Sequence, residues 1–185
     1  MACDDSDARR YERAPVPVKI LIAGAIGAGK TTLMGALTQV RPLLIEESVS
    51  IDFGRITISG GLVIYLFGMP GQERFWFMWD DLSQGTLGAV VLADARRLAD
   101  CLPAIDYFGH RGAPFVVALN SFPGTPRHGA DEVRKALDLD PHVPIVACDA
   151  RERGSCRDTL VTLVDRAIEL ADTGARAPTP SGSPV

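Results

Sequence analysis

Four times along this chain an apolar run gives way to a segment of helical period. "VKILIAG" (18–24) precedes "KTTLMGALTQV", "LGAVVLAD" (87–94) precedes "ARRLADCLPAIDYFGH", "PFVVALN" (114–120) precedes "ADEVRKALDL", and "VPIVACD" (143–149) precedes "SCRDTLVTLVDRAIELA". Strands that are apolar throughout, rather than alternating, are buried on both faces, as in a parallel sheet covered by crossover helices. One pair departs from this. "IDFGRITIS" and "GLVIYLFG" meet at Gly60-Gly61, with no room for a crossover, so they form an antiparallel hairpin added to the sheet. The expected fold is an α/β sheet of six strands, mostly parallel, with one antiparallel strand at its edge and helices on both faces.

Residues 1–15 and the Pro/Ser/Gly-rich stretch 173–185 hold too little apolar surface to offset the entropy of ordering them, which predicts flexible ends around one domain at 16–172. At 185 residues with 46% apolar and 23% charged positions, one hydrophobic core is expected. A net charge of -4 and a pI near 5.3 give no field to attract a polyanion, which sets nucleic acid aside as a partner. Cys3, Cys101, Cys148 and Cys156 have neither CxxC spacing nor nearby histidines, so a zinc site or a disulfide framework is not indicated. The N-terminus is charged where a signal peptide needs an apolar run, and no stretch approaches the ~18 apolar residues of a membrane span. A cytoplasmic protein is expected, with any membrane association running through partners.

The first strand runs into Gly24-Ala25-Ile26-Gly27-Ala28-Gly29-Lys30-Thr31-Thr32, a full GxxxxGK[ST] phosphate loop in the strand-to-helix setting that the motif needs. Glycines let the backbone wrap a phosphate with N–H groups, the helix N-terminus adds its positive end, Lys30 reaches the β/γ oxygens, and Thr31 offers a hydroxyl to Mg²⁺. At the end of the hairpin stands "GMPGQERFWFMW", with Gly71 and Gln72 followed by Phe75, Trp76, Phe77 and Trp79. Large aromatics of low conformational freedom suit a partner surface. Phe75 and Trp79, four apart, equally suit one face of a helix packed on the core.

The order of phosphate loop, hairpin and Gly-Gln resembles the Ras-like small GTPases. "FGMPGQERFWFMWDDL", "LADARRLADC", "DYFGHRGAPFVVALN" and "EVRKALDLDPHVPIVACDAR" look like the GTPase of actinobacterial conservons, operons that also encode a sensor resembling a histidine kinase and a Roadblock/LC7 protein. These are similar to the bacterial gliding GTPases of the MglA type, which share Pro-Gly-Gln without the usual aspartate; Gly68 stands at that aspartate's position here. The resemblance implies a GTP/GDP switch using Mg²⁺, with Thr31 and Ser48 as metal ligands, the Gly71 N–H on the γ-phosphate, and Gln72 orienting the attacking water. Ser48 is otherwise a solvated loop serine. Asp94, closing "LGAVVLAD", is either a substitute metal-site carboxylate or a helix N-cap.

Where small GTPases read guanine with Asn-Lys-x-Asp, this chain has Asn120-Ser121-Phe122-Pro123, and Asp149-Ala150-Arg151 resembles the family's Ser-Ala-Lys segment. The resemblance gives Asn120 and the Ala150 N–H to the base, with guanine selectivity reduced by the lost aspartate. Asn120 could instead shape a turn, and Asp149 could hold Asn120 or a backbone N–H. Ile26, where fast Ras-like enzymes have glycine, is expected to crowd Gln72 and slow hydrolysis, leaving Arg55, Arg74 or a partner to supply an arginine. The implied role is a slow, partner-stimulated GTP switch bound to a Roadblock/LC7-type protein and a sensor-kinase-like complex. A non-hydrolysing scaffold and a P-loop ATPase of relaxed base specificity remain open.

Overall fold

The computed structural model describes residues 15–46, 49–122, 124–125 and 128–175. They form one sheet in the order β2-β3-β4-β1-β5-β6-β7. Strands β4 (Leu62–Gly68), β1 (Val16–Ala23), β5 (Thr86–Asp94), β6 (Phe115–Asn120) and β7 (Ile145–Cys148) run parallel. β6 is buried over its whole length and β5 from Gly88 onward, as continuous apolar runs require when both faces are covered. Alternate residues supply the two cores. Leu21, Val91 and Val117 face helices α2 (Trp79–Ser83), α3 (Leu102–His110) and α4 (Ala130–Ala136), while Ile22, Val90 and Val116 face α1 (Lys30–Leu37) and α5 (Arg153–Ala175).

The hairpin strand β3 (Val49–Ile58) lies antiparallel to β4 in the register Phe53↔Phe67 to Ile58↔Leu62. Gly60 and Gly61 turn the chain at φ of 95° and 85°, a region that glycine enters without steric cost. All six strands expected from the sequence are present in the expected directions, but the sheet has seven. β2 (Arg41–Glu46) pairs antiparallel with β3, so β3, the expected edge strand, lies one place inside the edge. Six residues with a proline at the second position carry little strand signal of their own. Their backbone hydrogen bonds come from β3, and a proline, which donates none, is tolerated on an outer strand.

Helix α5 runs to Ala175, and Thr173 Oγ1 donates to the Glu169 carbonyl at 2.8 Å within its last turns. Helix α1 stops at Leu37 because Thr38 is extended; Arg153 Nη1, from the start of α5, takes the freed Leu37 carbonyl at 2.8 Å. Residues 1–14 and 176–185, most of the two ends read from composition, lie outside the described residues. Among the described residues no helix is long and apolar enough to cross a membrane.

Candidate functional site

Parallel strands point their C-terminal ends to one edge, where an open α/β sheet forms its ligand crevice. There the chain leaves β1 at Ala23 and turns through residues 24–29 into α1, with Gly29 as N-cap at φ 104°. A Cβ on Gly29 would lie 2.6 Å from Asn120 Nδ2, so only glycine fits. Gly27, by contrast, stays open, with Arg97 Nη2 as its nearest neighbour 3.8 Å from a notional Cβ. Ala28 is buried; Ile26, 60% exposed, and Thr32 face out. Lys30 Nζ folds back onto the loop, donating to the carbonyls of Gly24 and Ala25 at 2.8 Å each. Burial pulls its pKa down to about 8, an effect that the negative charge of Asp52 partly opposes. Thr31 Oγ1 donates to Asp52 Oδ2, from β3.

The end of β4 forms the second wall. Met69 N donates to the Ile22 carbonyl at 2.8 Å, and Gly71 is pressed so closely on the loop that a Cβ there would lie 2.8 Å from Gly24 O and 2.9 Å from Ile26 N. Gln72 is exposed at the head of a 3-10 helix, Glu73–Met78. Because a 3-10 turn superposes residues three apart, Trp79 pairs with Trp76 at 5.2 Å between ring centroids, and Phe75 and Trp79 also pack on one core, as expected from their spacing. Trp79 is 4% exposed, meets Tyr107 edge-on, and its Nε1 donates to the Pro70 carbonyl at 3.1 Å. Phe75 and Trp76 pack partly buried against the same core, which leaves Phe77, 66% exposed, facing solvent.

The third wall is built from β5, β6 and the loop after β7. Asn120, 3% exposed, donates from Nδ2 to the Ala28 carbonyl at 2.9 Å and accepts the Ala150 N–H on Oδ1 at 3.1 Å. Asn120 therefore fastens the phosphate loop to the loop after β7, and the Ala150 N–H expected to meet a base is already paired. Asp149 is gripped by Arg151 through Nε at 2.9 Å and Nη2 at 2.6 Å, which holds its carboxyl down at about 2; it also accepts the Arg151 N–H at 3.0 Å. Of the two structural roles open to Asp149, it is the backbone N–H that it holds.

Asp94, 2% exposed, is gripped in the same way by Arg96 and accepts the Arg96 N–H at 2.9 Å, so it braces the turn after β5. Arg96 lies 3.8 Å over the ring of Phe122. Arg74 sits over Phe75, and Arg55 is exposed on β3 opposite Tyr65. The arginine at the phosphate loop is one the sequence did not single out: Arg97 Nη2 donates to Ile26 O at 3.3 Å, with Asp94 and Asp100 beside it. Asp52 was missed too. The signal for it was present, an acid in an apolar strand facing the position where an acid is lacking. Ser48 and Pro123 lie outside the described residues.

The sequence model of a family described as "Conserved hypothetical ATP binding protein" matches residues 45–170, a span that begins after the phosphate loop. An uncharacterized protein of Methanocaldococcus jannaschii is 38% identical over 82 residues, 43% of this chain and 53% of that protein; the chain thus spans about half the length of this curated relative. Among solved structures, the Arl6 (BBS3) small GTPase of Trypanosoma brucei with the nucleotide analogue GppNp superposes with a TM-score of 0.66 at 18% identity, covering 83% of this chain and 99% of that one. The G domain of the T. maritima FeoB iron transporter does so with a TM-score of 0.62 at 20% identity, covering 84% and 99%. The fold is that of the P-loop GTPases.

Replacing Asn120 with alanine strands the Ala28 carbonyl and the buried Ala150 N–H at once. Urea denaturation of Asn120→Ala is expected to show a loss of about 1–3 kcal/mol; stability equal to the parent protein would mean that the two loops are not held through this side chain.

Proposed function

We propose a nucleotide switch, from the premise that the chain belongs to the family described as conserved hypothetical ATP binding proteins. The observation that carries the reading is the contact between Gly71 and the phosphate loop, with the preceding Pro70 carbonyl bonded to Trp79. A phosphate entering the loop must be accommodated against the Gly71 backbone, and any shift of that backbone moves the hydrogen bond that anchors the aromatic helix. Occupancy of the site is thereby felt at Phe77, the exposed aromatic in the position of a partner contact.

Within the domain at 16–172, the backbone N–H groups of residues 26–31 and the N-terminus of α1 bind the phosphates, and Lys30 exchanges its two carbonyl partners for phosphate oxygens. The donors fit Mg²⁺ carried on the nucleotide. Among the described residues no cluster of three His, Cys, Asp or Glu could hold a metal by itself, so the phosphate oxygens supply most of the ligands, with the Thr31 hydroxyl and, by resemblance, Ser48. Bound Mg²⁺ would neutralise charge on those oxygens. Gln72, whose side chain makes no capping bond, orients the attacking water in this reading. Intrinsic hydrolysis is slow in this reading, because Ile26, exposed beside the loop, crowds the approach of Gln72, and Arg97 is held by the Ile26 carbonyl. A partner that reorders residues 71–79 accelerates it. A Roadblock/LC7-type protein and a sensor-kinase-like complex, with any membrane contact through them, fit the conservon resemblance.

Guanine is the preferred base by likeness to the small GTPases, and adenine is the second reading. It is favoured by the family description and by the pairing of Ala150 N–H with Asn120 and of Asp149 with Arg151. Competition of GTP, ATP and XTP against a fluorescent nucleotide decides between them. GTP is expected to lead ATP by roughly tenfold, about 1.4 kcal/mol; ATP binding equal or better would favour the adenine reading.

Lys30 provides a second check. Its pKa near 8 belongs to the folded-back form, and phosphate oxygens stabilise the cation and raise it. Above pH 8 the free protein has lost a proton that the complex keeps, so binding takes up a proton and affinity falls by up to about tenfold per pH unit until the pKa of the complex is reached. Calorimetry at pH 9 in buffers of different ionisation enthalpy is expected to show this uptake. Equal heats in all buffers, with affinity level from pH 7 to 9.5, would show that binding does not change the protonation of Lys30.

A further inference from the structure

The structure assigns to Asp52 the work of the carboxylate that Ras-like sites carry at the end of the next strand. The assignment rests on the magnesium-nucleotide reading above. In those sites the acid stands at the position of Gly68, the last residue of β4. In this chain β3 runs antiparallel to β4 in a register that pairs Phe53 with Phe67, so one step further Asp52 stands opposite Gly68. Residues directly opposite in an antiparallel pair project from the same face, with their Cβ atoms about 4.5–5.5 Å apart. A carboxylate leaving β3 at Asp52 therefore enters the same space as one leaving β4 at Gly68, displaced by about one strand spacing.

Three further observations place the group. A Cβ added at Gly68 would lie 3.1 Å from Asp52 Cβ, tighter than ordinary contact, so a side chain at 68 would crowd Asp52 and push it aside by a few tenths of an ångström. The Asp52 carboxylate accepts the hydroxyl of Thr31, the one phosphate-loop side chain suited to a metal. Its charge acts on Lys30 across a cavity of about 150 Å³ lined by Lys30, Asp52, Gly68, Pro70 and Gly71. Asp94 and Asp149, further acids at this edge, are committed to Arg96 and Arg151, whereas Asp52 is partly exposed toward the cavity. Orienting Thr31, and the water around a metal that the nucleotide carries, is the task of an outer carboxylate. Removing such a partner lowers metal affinity by about 10- to 100-fold.

The test is Mg²⁺ dependence, not turnover. Dissociation of a fluorescent GDP is timed with Mg²⁺ in excess and with EDTA, for the parent protein, Asp52→Asn, and the exchanged pair Asp52→Gly with Gly68→Asp. Glycine is needed at 52 because an alanine would retain the Cβ that crowds position 68. The parent is expected to release nucleotide much more slowly with Mg²⁺. Asp52→Asn should keep the EDTA rate within about twofold while needing at least tenfold more Mg²⁺ to slow release, and the exchanged pair should recover part of that loss. An Asp52→Asn protein with the parent's Mg²⁺ requirement overturns the assignment and leaves the switch reading standing. A parent that binds GDP but ignores Mg²⁺ overturns both.

Discussion

The phosphate loop has no slack on either side. A single methyl at Gly71 would meet Gly24 O at 2.8 Å on one flank, and one at Gly29 would meet Asn120 Nδ2 at 2.6 Å on the other. Close packing of this kind does not deform gradually; it changes by moving a neighbour. On the Asn120 side the neighbour is fixed, because that amide is buried in β6 and bonded to both Ala28 and Ala150. On the Gly71 side it is a short connection between β4 and a 3-10 helix, held by Pro70 O to Trp79 Nε1. In the proposed switch, a change in the loop is passed toward the aromatic helix rather than into the sheet.

Charge at this edge is arranged in the same spirit. Two arginine-carboxylate pairs, Arg96 with Asp94 and Arg151 with Asp149, neutralise acids that would repel a nucleotide, each through two short hydrogen bonds. Asp52 is the acid left facing Lys30 and Thr31. Bidentate pairing ties the first two carboxylates to the architecture, while Asp52 has a hydroxyl partner, Thr31, that it can share.

Much of this was legible before any coordinates. Continuous apolar runs named four parallel strands, and Gly60-Gly61 named the hairpin pair, because those signals arise from burial on two faces and from local turn chemistry. The phosphate loop was legible from its glycines and Lys30. What the sequence concealed depends on tertiary pairing. Strand β2 is a strand because β3 lies beside it. Asn120 and Ala150 N–H, thirty residues apart, satisfy each other only once β6 and the loop after β7 are neighbours. Trp79 pairs with Trp76 because the turn is 3-10, a distinction of hydrogen-bond register that the run "ERFWFM" does not disclose. Asp52 stands opposite Gly68 through the register of the hairpin, which can be counted back from Gly60-Gly61 once the antiparallel pairing is recognised.

Both tryptophans of the chain lie in the segment that the proposed switch moves, Trp79 bonded to Pro70 and Trp76 packed against it at a tilt. The most direct measurement is their fluorescence when the isolated protein, with Mg²⁺, is taken from its GDP complex to its complex with a non-hydrolysable GTP analogue. The account predicts a clear change in intensity or emission maximum between the two complexes, lost in Trp79→Phe, whose ring keeps the packing but cannot donate to Pro70. Identical spectra for the two complexes, with both nucleotides shown to be bound, would contradict the claim that Gly71 and Pro70 carry the state of the phosphate loop to the aromatic helix.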